Sequence, residues 1–590
     1  MNRRKTQKNF LLLYILAFIL IASFIAMLYF GGQKEGYHVD ELYSYGLANS
    51  EYLPFMHFGV SGYDVKDWMN EYGAGESFVD LFSNLIKDFK ILRECNFDFY
   101  GSEIYQAYRI AQANSADTYT TTWVPGQDYV DYLAVSESNT FNYASVYYNQ
   151  RGDVHPPLFY MLLHTICSFF QGSFSKWYGL ALNMIVLTVT LMVLFILSKR
   201  HFGGTKSALV ITAVYAFSAG FMSTAMFIRM YSLLTLMTLL CLWVHLEILE
   251  SDFKFTRKMM IALFLAVLGG YYTQYYFVLF AVVIAVVMLI IMLSRKELKS
   301  ALIYIFTLAA SAITGIIIWP FSIKHVFRGY RGRSSLEVLK TGSFYMFKVE
   351  NMFNQITNYM FGGHKWIPIL LIVLAIAGCI VLRKKVPLAK ASLLCIPVMV
   401  YTFVVCQISP FLSDRYVMCT YPFWCIMVVS AVYYASKELA KHFKDKIIGP
   451  TERVQGVVLI GLALILIGTN NYIVNVPGYI SPGGQESYIV PENTDCVFVI
   501  PDGSYNESSE ELNILAQCNR VGVVYESNID VLAADYFTDQ GDYLLVEIIN
   551  HLEEDLVLEK VLQSLNITEF EEIDREYANC STRILLSTKH

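Results

Sequence analysis

Long apolar runs recur along this chain and limit its folds more than any other feature. Stretches near 10–30, 178–198, 207–226, 231–249, 257–272, 274–293, 301–320, 366–382, 391–410, 416–436 and 455–474 are apolar. Each approaches the ~20 residues that a helix needs to cross a bilayer. They predict a polytopic α-helical membrane protein with about eleven transmembrane helices. Charged residues make up 16% of the chain, against about 25% in soluble domains. The first run follows the basic flank "MNRRKTQK" and is longer than the ~7–15-residue core of a signal peptide. With no clear small-x-small cleavage site, it reads as an uncleaved first span.

Basic residues set the expected direction of the spans. "SKRHFGGTK", "ESDFKFTRK", "SRKELKS", "RKKVPLAK" and "SKELAKHFKDK" alternate consistently if the N-terminus is cytoplasmic, as Lys/Arg-rich loops stay inside. The other face, outside the cytoplasmic membrane, then receives three large pieces. They are the first loop at 31–177, the loop at about 321–365, and the tail. The expected division is a membrane domain over 1–474 and an acidic domain over 475–590. In the tail, the apolar stretches "DCVFVIPDG", "RVGVVYES" and "DYLLVEII" alternate with helical-looking sequence, which predicts a small α/β domain. "HPPLFYMLLHTICSFF" is too short to span, so an interfacial helix is expected near 156–170, with Pro156 and Pro157 at its start.

Ionisable groups collect at the predicted outer ends of the spans. "GYHVDELYSYG" puts Asp40 and Glu41 just after the first run, and "RGDVHPPLFY" puts Asp153 and His155 before the short helix. Arg229, Gln274, Asp414 and Arg415 fall at the same level, and "KHVFRGYRGR" adds Lys324, His325, Arg328, Arg331 and Arg333. Charge this close to lipid is costly unless it pairs, reaches water or does chemistry. The basic loop breaks the inside-positive pattern. Guanidinium groups bind phosphate oxygens bidentately, so the loop suits a lipid phosphate or pyrophosphate, or ordinary anionic headgroups. Asp40 and Glu41 either end the first helix or supply a general base. Asp153 either caps a turn or binds substrate, and His155 is a helix-start group or a ligand contact.

No metal is required by this pattern. His38, Asp40, Glu41 and His155 could approach a divalent ion, but their spacing matches no standard zinc motif. The eleven cysteines contain no CxxC pair. Cys496, Cys518 and Cys580 fall in the tail, where two could pair if it lies outside. Trp68, Trp123, Tyr147 and Tyr148 could stack on sugar faces or anchor the interface.

"VDELYS", "GDVHPPLFYMLLH", "IRMYSLL" and "SDRYVMCTYP" occur in an order that resembles the GT-C fold glycosyltransferases. The similarity is to the protein O-mannosyltransferase type, its bacterial relatives and the lipid A aminoarabinose transferases, and it covers about residues 10–436. It implies a lipid-linked sugar donor and an acceptor on the outer face. It matches Asp40 to the acidic residue thought to act as base, Glu41 to its companion, and Arg229 and Arg415 to recurrent arginines. The chain departs from the pattern at Phe227, where relatives often carry an acid, and at Gln274, where they often carry His.

The expected function is therefore an inverting transfer of one sugar from a polyprenyl phosphate to an envelope glycan, lipid or protein, with no nucleic-acid partner. Asp40 and Glu41 would be catalytic, and Arg229, Arg415, Arg328, Arg331 and Arg333 would hold the phosphate. Asp153, His155 and Gln274 would be further substrate contacts. The rivals are a transporter of lipid or polysaccharide, and a ligase moving a whole lipid-linked glycan. A transporter of the repeat type would show two related halves, which this chain lacks.

Overall fold

The computed structural model describes residues 2–54, 60–61, 120–121, 123–327, 330–342, 344–367, 369–370, 373, 388–442, 451–473, 475–481, 488–501, 511–533, 541–549, 552–577 and 581–588. Two compact units emerge from its contacts. One comprises Met1–Lys34, His155–Phe159 and Gly179–Ile480, and the other Glu35–Val154, Tyr160–Tyr178 and Ser481–His590. This partition differs from a single cut at 474, because the first loop contributes to the same unit as the tail.

The first unit is helical and membrane-spanning. Among the described residues, seven helices are long and apolar enough to cross a bilayer: Phe10–Gln33, Lys176–His201, Tyr231–Glu250, Phe277–Ser294, Leu298–Ile318, Leu388–Ile408 and Met418–Lys437. The expected span at 207–226 is instead a bent pair, Gly204–Ala216 and Ala219–Met226, meeting at 57°. Counted as one crossing, it raises the total to eight. Ser218 causes the break by taking a non-helical backbone and accepting from the Phe221 N–H at 3.1 Å, which restarts the helix. The expected run at 366–382 lies largely outside the described residues, so the figure of eleven is not reached here. Apolar side chains on the outer surface of these helices, such as Phe18, Ile25, Ile313 and Ile317, are exposed, as lipid-facing positions are.

The second unit centres on a sheet. A two-stranded ribbon pairs β1 (Val60–Ser61) with β2 (Thr120–Thr121). The main sheet contains β3 (Trp123–Pro125), β4 (Thr494–Ile500), β5 (Arg520–Tyr525), β6 (Tyr543–Ile549), β7 (Glu571–Tyr577) and β8 (Ser581–Ser587). Their order is β3-β5-β4-β6-β8-β7, with β5, β4 and β6 parallel and the other pairings antiparallel. Side chains alternate between faces. Val497, Val499, Val524, Val546, Ile548, Ile584 and Leu586 pack with Val557, Val561 and Leu562 of the helix Glu554–Ser564.

The alternate residues, including Cys496, Leu545, Glu547 and Arg583, form the opposite face. That face carries a buried ionic cluster. Arg583 Nε donates to Glu547 Oε1 at 3.1 Å, its Nη1 to Glu576 at 3.1 Å, and its Nη2 to Glu511. Arg583, Glu511 and Glu547 have fully buried side chains.

The first loop is built into this sheet. Trp123, Val124 and Pro125 pair with Gly522, Val521 and Arg520. The helix Gly126–Leu133 continues directly from β3, and the Gly126 N–H donates to the Asn519 carbonyl at 2.9 Å. Arg520 is held between the Asp495 carboxylate, at 2.9 Å, and the Trp123 ring, 5.2 Å from its centroid.

Candidate functional site

The helix Val39–Asn49 carries the acidic pair, and its start explains what each acid does. "HVDEL" begins this helix and does not end the first span. His38 is the N-cap: its Nδ1 accepts from the Asp40 N–H at 3.1 Å, while Glu41 Oε2 accepts from the His38 N–H at 2.8 Å. This is a capping box, in which two otherwise unsatisfied backbone donors are closed reciprocally. Because Nδ1 is an acceptor, His38 is the neutral tautomer with its proton on Nε2. The 3.7 Å approach of Nδ1 to Asp40 Oδ2 is therefore not an ion pair. Glu41 is fully buried in the cap, whereas the Asp40 side chain stays 18% exposed. Of this pair, only Asp40 combines a carboxylate with access to solvent.

The rest of this helix is fixed from below. Asn49 Nδ2 donates to the Leu133 carbonyl at 2.7 Å, and Tyr132 OH donates to the Pro54 carbonyl at 3.0 Å. Gly46 sits against the Tyr132 ring so closely that a Cβ there would lie 2.1 Å from it. In the same unit, Asp153 ends the helix Tyr143–Gly152, its N–H donating to the Gln150 carbonyl at 3.3 Å. The short apolar helix that follows is Leu158–Cys167, ten residues long.

In the membrane unit, the arginines are placed by a loop, a 3-10 turn and a helix. Arg229 follows the bent helix pair and is buried. Its Nη2 lies 3.5 Å from His155 Nε2, and since a guanidinium only donates, that nitrogen is the acceptor. Arg415 is buried in the short 3-10 turn Asp414–Tyr416. Its guanidinium lies 5.1 Å from the Tyr416 ring and 5.7 Å from the Phe411 ring. Arg331, on the helix Tyr330–Thr341, comes to the same Phe411 ring from another segment, at 5.9 Å. Two guanidinium groups thus share one aromatic ring. The quadrupole of the ring offers each a modest attraction, ~0.5–1 kcal/mol at exposed sites.

The helix Tyr330–Thr341 is tied to the end of the span Leu388–Ile408 by Ser335 Oγ donating to the Ile408 carbonyl at 3.1 Å. Arg328 and the side chain of Arg333 lie outside the described residues. Gln274 is buried and works in a turn, its Oε1 accepting from the Tyr276 N–H at 2.9 Å. Beside it, Trp319 Nε1 donates to Tyr275 OH at 2.8 Å, and that hydroxyl is 2.9 Å from His325 Nδ1. An indole N–H can only donate, so the Tyr275 oxygen accepts from Trp319.

Asp414 is buried and accepts from Tyr479 OH at 2.8 Å. Burial pushes its carboxyl up to about 6, while the Tyr479 hydroxyl and the Arg415 guanidinium act the other way. Sequence reasoning missed Tyr479 and Phe411 as site components. Phe411 had a signal, as an aromatic four residues before Arg415. Tyr479 had none, because its partners are distant in the chain. Among the described residues, no group of three or more His, Cys, Asp or Glu side chains could hold a metal ion.

These features define a multi-pass helical membrane protein in which Arg331 and the buried Arg415 approach one aromatic ring and a buried Arg229 meets His155, with a second unit that carries a capped acidic helix. No protein-family model matches the chain, and no curated protein does. Among solved structures, it is similar to ArnT from Cupriavidus metallidurans bound to undecaprenyl phosphate. The identity is 11% and the TM-score 0.39, over 73% of this chain and 87% of the other. At that identity and TM-score the likeness fixes neither the fold nor the activity of this chain.

Proposed function

We propose that this protein transfers a sugar from a polyprenyl-phosphate donor to an acceptor hydroxyl or amine of an envelope glycan, lipid or protein, at the outer face of the cytoplasmic membrane. The observation that carries this reading is the convergence of Arg331 and Arg415 on Phe411, beside the spans of a membrane protein. Two cations brought to one ring suit a phosphate, whose oxygens guanidinium groups bind in pairs. The positive-inside reading of the loops supports the outer location, and the sequence resemblance supports the donor class.

In the proposed reaction, the acceptor attacks the anomeric carbon as its proton passes to Asp40. The carbon–oxygen bond to phosphate breaks with its electron pair leaving on the phosphate, and attack from the opposite face inverts the anomeric centre. Arg229, Arg415 and Arg331 stabilise the charge on the departing phosphate. Fixed donors aimed at developing charge often contribute more to such catalysis than any other effect. Glu41 serves the helix cap, which supports a positioning role and not proton transfer.

The test is turnover of purified protein with a polyprenyl-phosphate monosaccharide and extracted envelope acceptors, read by mass spectrometry. Release of polyprenyl phosphate with a single-sugar mass gain on the acceptor is expected. Transfer of an entire oligosaccharide would replace this reading with the ligase.

A further inference from the structure

Three segments far apart in the chain meet at Tyr479, in the connection after the helix Thr451–Thr469. Its ring stacks on Phe227 with centroids 4.0 Å apart and planes at 16°. Its hydroxyl donates to Asp414 Oδ1 at 2.8 Å. Its carbonyl accepts from the buried Lys34 Nζ at 2.7 Å. The preceding Gly478 N–H donates to Ser223 Oγ at 2.8 Å, pinning the same strap to the bent helix pair.

The backbone at this point is unusual as well. Tyr479 has φ of +66°, the left-handed region that a bulky side chain disfavours. A simple connection would use glycine there, which adopts such a φ freely. A costly backbone persists where surrounding contacts over-determine it, and such residues cluster at functional sites. The contacts in question reach the elements proposed to do the chemistry. Phe227 is two residues before Arg229, Asp414 is bonded to Arg415 in sequence, and Lys34 begins the segment that leads to Asp40.

We propose that Tyr479 is a positioning residue for the donor phosphate. It clamps the Asp414–Arg415 turn to the Phe227–Arg229 turn and to the end of the first span, so that the guanidinium groups are fixed before the donor arrives. This rests on the reading of Arg229 and Arg415 as phosphate holders. The clamp acts through Asp414, which faces Tyr479, Arg415, Tyr359 and Tyr421 and accepts a further hydrogen bond from Ser413. Ionised, it is the stronger acceptor for the Tyr479 hydroxyl and attracts the neighbouring Arg415 charge.

Tyr479→Phe keeps the stack and removes the hydroxyl, so the Asp414 carboxylate loses a donor and titrates higher. Binding of a polyprenyl phosphate to the purified full-length protein in detergent is measured from pH 5 to 9. It is expressed as the ratio of variant to wild-type affinity, so that titration of the lipid phosphate itself cancels. Tyr479→Phe is expected to be about ten-fold weaker at pH 8–9, where Asp414 is ionised and the lost bond is strongest, and closer to wild type at pH 5. Tyr479→Leu, which also loses the stack, is expected to be weaker at every pH. A ratio for Tyr479→Phe that does not vary with pH overturns the clamp.

If the wild type binds no polyprenyl phosphate, the proposed function falls and thermal unfolding decides the clamp separately. The lost hydrogen bond is stronger to ionised than to protonated Asp414. The Tm deficit of Tyr479→Phe should therefore be larger at pH 8 than at pH 5, and equal deficits overturn the inference.

Discussion

Gly126 lies so close to the backbone of Cys518 that a Cβ on the glycine would sit 1.7 Å from the Cys518 carbonyl oxygen. That contact seats the helix Gly126–Leu133 on the sheet, and the same helix supports the acidic helix through Tyr132 and Leu133. A backbone carbonyl cannot swing aside as a side-chain tip can. Gly126→Ala should therefore lift the helix, at a cost of ~1–3 kcal/mol typical of overpacking. Hydrogen exchange of the full-length protein checks this. Faster exchange is expected in 123–133 and 39–49 of the variant, with little change in the span Leu298–Ile318.

Burial pushes the Glu547 carboxyl from 4.5 up to about 8, with the neighbouring Glu511 charge adding to the shift and Arg583 and Ser581 opposing it. The folded unit then holds a proton that the unfolded chain has released over this range. Its contribution to stability is full below pH 4.5 and is lost as pH rises toward 8. Glu547→Gln mimics the protonated acid. The variant should flatten the fall in stability across that window by an amount on the order of a few kcal/mol, seen as a shallower fall in Tm. A Tm profile as steep as the wild type would remove Glu547 as its source.

Asp40→Asn preserves size and one acceptor oxygen but removes basicity. Turnover should fall ~10²–10⁴-fold, the usual worth of a positioned base, with donor affinity retained. Glu41→Gln still offers an oxygen to the His38 N–H and should be mild, whereas Glu41→Ala breaks the capping box and should cost ~1 kcal/mol of stability. Transfer kinetics and thermal unfolding on the same preparations separate the two roles.

Phe411→Leu removes the ring shared by Arg331 and Arg415 while leaving both charges. Donor affinity should drop several-fold, by the ~0.5–1 kcal/mol of each cation–π contact. Arg415→Gln should lose more, because it removes a charged hydrogen-bond donor. Donor titrations at fixed ionic strength report both, and a Phe411→Leu variant with wild-type affinity would show that the ring does not order the guanidinium groups.

Topology is open to cysteine labelling at exposed positions. Glu137, Glu569 and Lys299 are exposed. An impermeant reagent added to intact cells should mark cysteines introduced at Glu137 and Glu569 and miss one at Lys299. The reverse pattern would turn the orientation over.

The membrane unit was legible because spanning a bilayer demands length and apolarity, and both are local properties of sequence. The break at Ser218 was not, since the residues on either side are equally apolar and only a side-chain cap interrupts the helix. The apolar stretches at 494–500, 520–525 and 543–549 coincide with β4, β5 and β6 because a strand buried on both faces reads as an unbroken hydrophobic run. β3 carries no such signal: three residues gain their strand geometry from a partner far along the chain. Asp40 and Glu41 were visible as a pair, but their separate duties depend on His38 acting as an N-cap, which spacing alone did not reveal. Arg229 and Arg415 were visible as charges, and Tyr479 stayed hidden because its three contacts are all long-range.

Pairing β3 with β5 also sets an order of events during synthesis. Trp123–Pro125 leaves the ribosome about 400 residues before its partner strand, a wait of roughly 20–80 s at ~5–20 residues per second. Throughout that interval the first loop has already been made, yet the sheet that completes it does not exist. A chain shortened after residue 480 would therefore not shed a separable appendage. It would leave the loop that carries Asp40 permanently in the state it occupies halfway through its own biosynthesis.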